Sequence, residues 1–445
     1  MPALNNWTWS AVARQVDVEV TVEVASSGSR EFFYFDTDVL GLMDHRDHHP
    51  ALSNLTEPGP RSRRAVRMHM RDLVRRIQST GGGHGGRGDE EEEADGDEAG
   101  EAGEAGEAGE NSDGDVFYFT ASVFPPSSTS ADDVKTADAF RPHFVAGNDG
   151  GSVDPSLIVI ESADADRDPD AILSVWMGGP GAVTTQAHYD EPHNMFVQLI
   201  GTKRFTLLPP CAIDALPLYP DLHVRARKAQ IALSQIPLLP VHDDADLLAF
   251  PLHSKYLVST QLLEVDVEPG DVLYVPPWWI HRVQVKSSAA ASCNVFTPSG
   301  ISATRSAIYQ HALPFEEPWI GTPTAGAAVN LWLLELVEKR LHWSLRDAAS
   351  RLFNGRYRWM VRNTHQDEQQ QQHYDCYVPT RHDDVGVTPS QFHSYADAVA
   401  SLFLAISSDG VRWQILLSYV ELVIYNVLGG TGEIKPFLRR CILQA

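Results

Sequence analysis

Polar and apolar residues alternate with period two over Val16–Val24, "VDVEVTVEV", and every apolar position there is a β-branched valine. Successive side chains of a strand face opposite sides, so this segment predicts a half-buried strand. The apolar positions of "RRAVRMHMRDLVRRI", Arg63–Ile77, fall at helical spacing and predict a basic amphipathic helix covering a sheet. From Val116 to Gly300 the chain becomes a series of short β-rich runs broken by Gly and Pro. These are "VFYFTASVF", "LIVIES", "ILSVWMGG", "NMFVQLIG", "KRFTLLPP", "LLEVDVEPGDVLYVPPWW", "IHRVQV" and "SCNVFTP". Many short strands with close turn signals predict an antiparallel sandwich or barrel. After Ile301 the spacing is helical in "AAVNLWLLELVEKRL", "YADAVASLFLAI" and "VRWQILLSYVELVIYNVL", the last ending on the cap signal Gly429-Gly430. The apolar faces of these helices are expected to cover the barrel or to pair subunits as a homodimer.

This pattern divides the chain into four parts. Residues 1–78 hold a strand and helix that pack on the core. Residues 79–115 are Gly, Glu and Ala with no side chains to bury, an expected disordered acidic insert. Residues 116–300 form the β core, and 301–445 the helical C-terminal region.

Charge changes the picture less than its size suggests. The net charge of the 445 residues is −24, but Asp89–Asp115 holds fourteen acidic residues and no basic ones, and without that stretch the charge is −10. General affinity for nucleic acid or an anionic membrane needs a basic surface, which this balance argues against. The four cysteines, Cys211, Cys293, Cys376 and Cys441, are scattered, with no Cys-x-x-Cys pair for a structural zinc. They suit a reducing compartment, and "MPALNNWTWS" has no secretory pattern, so an intracellular place, cytoplasm or nucleus, is expected. Glu421, Gln414 and Asn426 interrupt the most apolar stretch, which predicts a buried helix rather than a membrane span.

The triplet His-x-Asp occurs six times, at His45, His188, His242, His365, His373 and His382. In or beside a strand, residues i and i+2 reach the same side, so only a strand context makes the triplet a two-ligand unit. His188 and Asp190, in "TQAHYDEPHN", lie between two strand-like runs. His373, in "QQHYDCYVPT", follows a glutamine-rich polar stretch, and it reads as a surface loop with the other four. "EPGDVLYVPPWWIHRVQV" supplies a third ligand, His281, after a tight turn and a strand. Taken alone, His281 would read as a histidine packed on Trp278 and Trp279. Two histidines and one carboxylate converging inside a barrel make the facial triad of non-haem Fe(II) oxygenases, with open positions for a cosubstrate and dioxygen. Tyr189, between two ligands, is expected to face away and pack, and His193 to be a loop residue.

"TTQAHYDEPHNMFVQLIGTKRFTLLPP" followed by "VEPGDVLYVPPWWIHRVQV" resembles the JmjC domain of the cupin superfamily. Within it the resemblance is to JmjC-only protein hydroxylases, a group that includes the asparaginyl hydroxylase of hypoxia-inducible factor. It covers Val116–Gly300 and extends loosely upstream. It implies a mainly β fold, a double-stranded β-helix (jelly-roll, cupin) core with flanking helices. It implies that His188, Asp190 and His281 bind Fe(II), and that Lys203 pairs with the far carboxylate of 2-oxoglutarate. Thr185 would add a hydroxyl to that carboxylate, or Thr184 if the register slips. Tyr118, Asn194 and Asn294 match residues of the cosubstrate pocket. The implied activity is decarboxylation of 2-oxoglutarate to succinate coupled to hydroxylation of a protein C–H bond, or demethylation where the carbon lies next to a methyl-lysine nitrogen.

Three departures qualify the match. The chain has His-x-Asp where many JmjC histone demethylases have His-x-Glu, it has no chromatin-reader module, and the aromatic after the second asparagine is displaced, as Asn294-Val295-Phe296. The first two favour a hydroxylase. A tRNA-base hydroxylase is the alternative within the family, supported only by the basic Arg63–Arg76 segment. A non-catalytic cupin binding protein and a cupin sugar isomerase or epimerase are the readings from other classes. Neither accounts for three ligands plus Lys203.

Overall fold

The computed structural model describes residues 7–16, 18–25, 31–32, 63–79, 115–124, 130–140, 171–179, 183–214, 216, 218–223, 226–230, 262–311, 322, 324–357 and 389–444. The acidic repeat, "LIVIES" and the His45, His242, His365, His373 and His382 triplets lie outside the described residues. Helix α1 (Trp9–Gln15), capped by the Thr8 hydroxyl, precedes strands β1 (Glu19–Ala25), β2 (Glu31–Phe32) and β3 (Arg63–His69) and helix α2 (Met70–Ser79). Then come β4 (Val116–Phe124), α3 (Ala131–Phe140), β5 (Ile172–Gly179), β6 (Thr184–Thr185) and β7 (His188–Tyr189). The strands end with β8 (His193–Ile200), β9 (Lys203–Leu208), β10 (Leu263–Val267), β11 (Val272–Val275), β12 (Ile280–Val285) and β13 (Ala290–Thr297). The described elements downstream are helical: α4 (Gly300–Gln310), α5 (Ala325–Leu333), α6 (Leu345–Arg351), α7 (Pro389–Leu404), α8 (Asp409–Leu428) and α9 (Ile434–Phe437).

The strands form two facing sheets, the sandwich or barrel that the short-strand pattern predicts and the jelly roll that the family resemblance implies. The larger runs β11-β8-β13-β5-β4-β1-β3 and the smaller β10-β9-β12-β6-β2, with β7 also paired to β12. β1 and β3 extend the larger sheet, so the N-terminal elements belong to the same layer as the core. The Arg63–Ile77 segment corrects its expectation. Only Met70 onward is helical, while Arg63–His69 pairs antiparallel with the whole of β1. Seven residues fit either period, and β1 offers each of their backbone groups a ladder partner, which decides the matter.

The larger sheet is apolar on its outer face, and the smaller sheet is apolar there at its β7 end, beyond which Arg204 and Asp266 pair at 2.6 Å in partial exposure. Val175, Met177, Val197 and Val295 of the larger sheet pack with Met70, Leu73 and Ile77 of α2. Tyr189, Leu208 and Ile280 of the smaller sheet, with Trp278 just before it, join Val329, Trp332, Ile415 and Tyr419 of the C-terminal helices in one core. The C-terminal helices therefore cover the barrel. Among the described residues α8 is the helix with the length and apolarity to cross a membrane. Here it is a core helix, and Glu421 within it is paired with Arg356 at 2.7 Å. Among the described residues Cys211 and Cys293 are free thiols.

The β8–β9 turn positions the site. Gly201 there has φ +69, and a Cβ would fall 2.1 Å from the Ala289 carbonyl oxygen. Only glycine fits without moving that backbone. Gly201→Ala is expected to lower stability by about 1–3 kcal/mol through strain and clash, read as a shift in denaturant midpoint.

Candidate metal centre

β12 has β9 on one side and the short strands β6 and β7 on the other. The β7–β12 register sets His188 directly opposite His281. Directly opposed residues share a face with their Cβ atoms about 5 Å apart, and the two imidazole centroids are 4.3 Å apart. Asp190, two residues after His188, reaches the same side. One ligand atom from each of His188, Asp190 and His281 lies within 4.8 Å of the others.

Each histidine is fixed by its far nitrogen. His188 Nδ1 lies 2.7 Å from the Gln186 carbonyl oxygen, and His281 Nδ1 lies 3.0 Å from that of Trp279. A carbonyl can only accept, so both Nδ1 atoms carry hydrogen and both Nε2 atoms face the centre. That is the orientation a metal ligand needs. Burial, reinforced by the charge of His281, pushes His188 down to about 3, so it is neutral. Burial also opposes charge on Asp190, but the hydrogen bond and charge of His281 outweigh it and hold the carboxyl below its ordinary range. Across the same 3.4 Å gap the carboxylate raises His281, against the effect of burial. A neutral imidazole, a carboxylate and an imidazole paired with it form a donor set that fits a divalent cation.

The inward faces around this triad carry polar groups among apolar ones such as Phe196 and Phe205. Asn294 Nδ2 donates to Asn194 Oδ1 at 2.8 Å, and Asn194 Nδ2 reaches Asp190 Oδ2 at 3.5 Å. The two asparagines thus lie in one chain with a ligand. Lys203, opposite Val285 of β12, is buried and donates from Nζ to Ser292 Oγ of the facing sheet at 2.6 Å. Its Nζ also sits 5.4 Å from the centroid of the Phe196 ring. Among the described residues no carboxylate pairs with it, and burial pushes it down to about 7. Tyr118 is buried beside Val285 and Val183, at the Lys203 end of the barrel. Thr184 pairs with Gln284, whose side chain is outward, so Thr185 takes the inward side. The Thr185 hydroxyl accepts the Val283 N–H at 2.9 Å, where β12 would otherwise lack a partner between β6 and β7.

Tyr189 faces away and stacks on Trp278 at 4.5 Å, as its position between two ligands predicts. His193 is a correction. It opens β8 instead of lying in a loop, and its Nδ1 is 2.7 Å from the Tyr274 hydroxyl. Its strand neighbour Asn194 takes the inward face, which turns His193 away from the centre. Two features escaped sequence reasoning. Ser292 lies two residues before Asn294 on the same face, which could have flagged it. Residues 226–230 lie along β7: Ala229 N–H donates to the Ala187 carbonyl at 2.8 Å, and Tyr189 N–H reaches the Arg227 carbonyl at 3.4 Å. Arg227 holds a left-handed φ of +67 there, a conformation that no motif announces.

The family model for the cupin-like domain matches residues 1–299 of this chain. The chain belongs to the cupin-like domain family. This cupin-like domain is also similar to Jumonji C domain-containing protein 5 of Drosophila melanogaster, 34% identical over 132 residues, or 29% of this chain and 28% of that protein. It is 29% identical over 133 residues to the human bifunctional peptidase and (3S)-lysyl hydroxylase JMJD7, covering 28% of this chain and 40% of that one. With the tRNA wybutosine-synthesizing protein 4 of Neurospora crassa it shares 31% identity over 127 residues, 28% of this chain and 9% of the other. The cupin-like chain thus spans less than half the length of each of these relatives. They support the JmjC resemblance, and the narrower likeness to the asparaginyl hydroxylase is not established by them.

Lys203 yields a test that needs no cofactor. Its folded value of about 7 lies below its ordinary 10.5. The unfolded chain therefore binds the extra proton in that window, and stability is lost as pH falls from about 10.5 to about 7. Lys203→Met is expected to stabilise the ligand-free protein at pH 7.5 by about 1–3 kcal/mol, since it removes an amine that folding must strip of the proton it keeps in the unfolded chain. It should also flatten the rise in stability between pH 7 and 10. Denaturant titrations across that range check both.

Proposed function

We propose that this chain is an Fe(II)- and 2-oxoglutarate-dependent oxygenase of the JmjC type that hydroxylates a C–H bond of a protein side chain. The observation that carries the proposal is a triad with both Nε2 atoms turned inward, inside the same barrel as a buried lysine that meets no carboxylate among the described residues. His188, Asp190 and His281 would hold the iron. When bound, it would couple oxidative decarboxylation of 2-oxoglutarate by dioxygen to C–H hydroxylation.

The remaining roles belong to the chain's own residues. Lys203 would take the far carboxylate of 2-oxoglutarate in a charge-assisted bond, exchanging the Ser292 hydroxyl for a full counter-charge. Bringing a carboxylate to a buried ammonium restores its protonated form, so cosubstrate binding above pH 7 takes up a proton. Tyr118 and Thr185, from opposite sheets, would supply hydroxyls at that end of the pocket. Asn294 and Asn194 hold Asp190 in one orientation through their amide chain. Phe196 and Phe205, buried and packed edge to face at 4.6 Å, line the interior and limit water.

A protein substrate fits the acidic balance of the chain better than tRNA does. The basic Arg63–Arg76 segment no longer supports tRNA as a continuous helix, because half of it is a strand paired to β1. Cytoplasm or nucleus remains the proposed location, and pairing of two chains through the C-terminal helices the proposed assembly.

Purified protein with Fe(II), ascorbate and 2-oxoglutarate is expected to release succinate. His188→Ala and Asp190→Ala should abolish both that release and iron binding, and His373→Ala should leave both intact. Absence of succinate together with absence of iron binding in the unaltered protein would sink the proposal. Equal loss in all three variants would show that the wrong His-Tyr-Asp was chosen.

A further inference from the structure

The ligand loop is held from outside the barrel. The Asp190 carbonyl accepts the Trp278 N–H at 2.7 Å. The next carbonyl, of Glu191, accepts two hydroxyls, Ser299 Oγ at 2.8 Å and Ser302 Oγ at 3.0 Å. Ser299 is the N-cap of α4, and its Oγ also accepts the Ser302 N–H at 3.2 Å. The first turn of α4 is thus registered on the residue that follows a metal ligand. One turn along, Arg305 Nη1 donates to Glu191 Oε2 at 3.1 Å. Its other arm donates to Asp221 Oδ2 at 2.9 Å, which also accepts the Tyr309 hydroxyl at 3.2 Å.

The chain of charges continues inward. The Asp221 N–H donates to Glu421 Oε2 at 3.2 Å, and Glu421 Oε1 accepts Arg356 Nη1 at 2.7 Å. Arg356 and Glu421 are fully buried on the C-terminal helices. These groups lie on the outer side of β7, where their charges act on the outward-facing Tyr189. Such an assembly is costly to bury unless each member is satisfied. It ends on the loop whose conformation aims the Asp190 carboxylate.

We propose that Arg305 is a positioning residue of the metal centre: it clamps Glu191 so that the helical C-terminal region sets the orientation of Asp190. This rests on the metal-centre reading of His188, Asp190 and His281. A residue that only stabilised the fold would change the melting temperature and leave the affinity and geometry of a bound ion alone. A positioning residue moves the ion's properties in protein that is still folded. Outer groups that orient metal ligands typically contribute about 10–100-fold to affinity.

The test uses Co(II), whose visible absorption reports coordination geometry, added to the full chain. Arg305→Ala is expected to weaken Co(II) binding at least tenfold and to alter the absorption band, with circular dichroism unchanged. Arg305→Lys, which keeps one donor, should recover part of the affinity. Ser302→Ala, which removes one hydroxyl from the Glu191 carbonyl, should weaken binding a few-fold, and it covers the case in which Arg305→Ala does not fold. Wild-type binding with unchanged affinity and spectrum in every variant that folds would overturn this inference alone. No Co(II) binding by wild type, or binding indifferent to His188→Ala, would overturn the metal-centre reading and this inference together.

Discussion

Everything at the centre depends on one strand pairing, that of β7 with β12. It is two residues long, and it sets His281 across from His188 with no loop to tune the distance. Because side chains alternate along a strand, a slip of one residue would turn His281 out of the barrel. The pairing is secured on several sides. β9 fixes the register of β12 from its other edge, the Thr185 hydroxyl takes the backbone group that the β6–β7 gap would strand, and residues 226–230 close the open edge of β7.

The barrel mixes apolar and polar residues inside. The larger sheet is apolar on its outer face under α2, the smaller one is so only near β7, and Asn194, Asn294, Ser292 and Lys203 share the interior with Phe196, Phe205 and Val267. An interior filled by apolar side chains alone would offer a ligand no polar partner. The inward polar groups are partly satisfied by one another, Asn294 Nδ2 through Asn194 to Asp190 and Lys203 through Ser292, while Asn294 Oδ1 meets no partner among the described residues. Lys203 is the exception, since burial with no carboxylate beside it among the described residues pushes it toward the neutral amine. An anionic ligand would supply the missing counter-charge.

What was legible in the sequence were residue types that chemistry demands and periods that burial demands. His188, Asp190 and His281 were found because two imidazoles and a carboxylate on strands have few other uses, and the structure brings them together. Lys203, Asn194 and Asn294 were legible only through the family resemblance, and the structure sets all three on inward faces. The Arg63–His69 strand was misjudged because a short basic run fits two periods, and only the long-range partner β1 chooses between them. Ser292 and the Glu191–Arg305–Asp221 cluster were not legible. Their meaning lies in contacts across 84 to 114 positions of sequence, and Ser, Glu and Arg are ordinary surface residues when read in a line.

The family match stops at residue 299, a tempting place to trim the chain to a minimal domain. The smaller sheet does not end its requirements there. Cut at that point, Tyr189, Leu208, Trp278 and Ile280 would lose the helices that cover them and stand together facing water. A contiguous apolar face of that kind drives self-association. Loss of soluble protein on such trimming would then reflect an uncovered sheet, whatever the barrel itself can do.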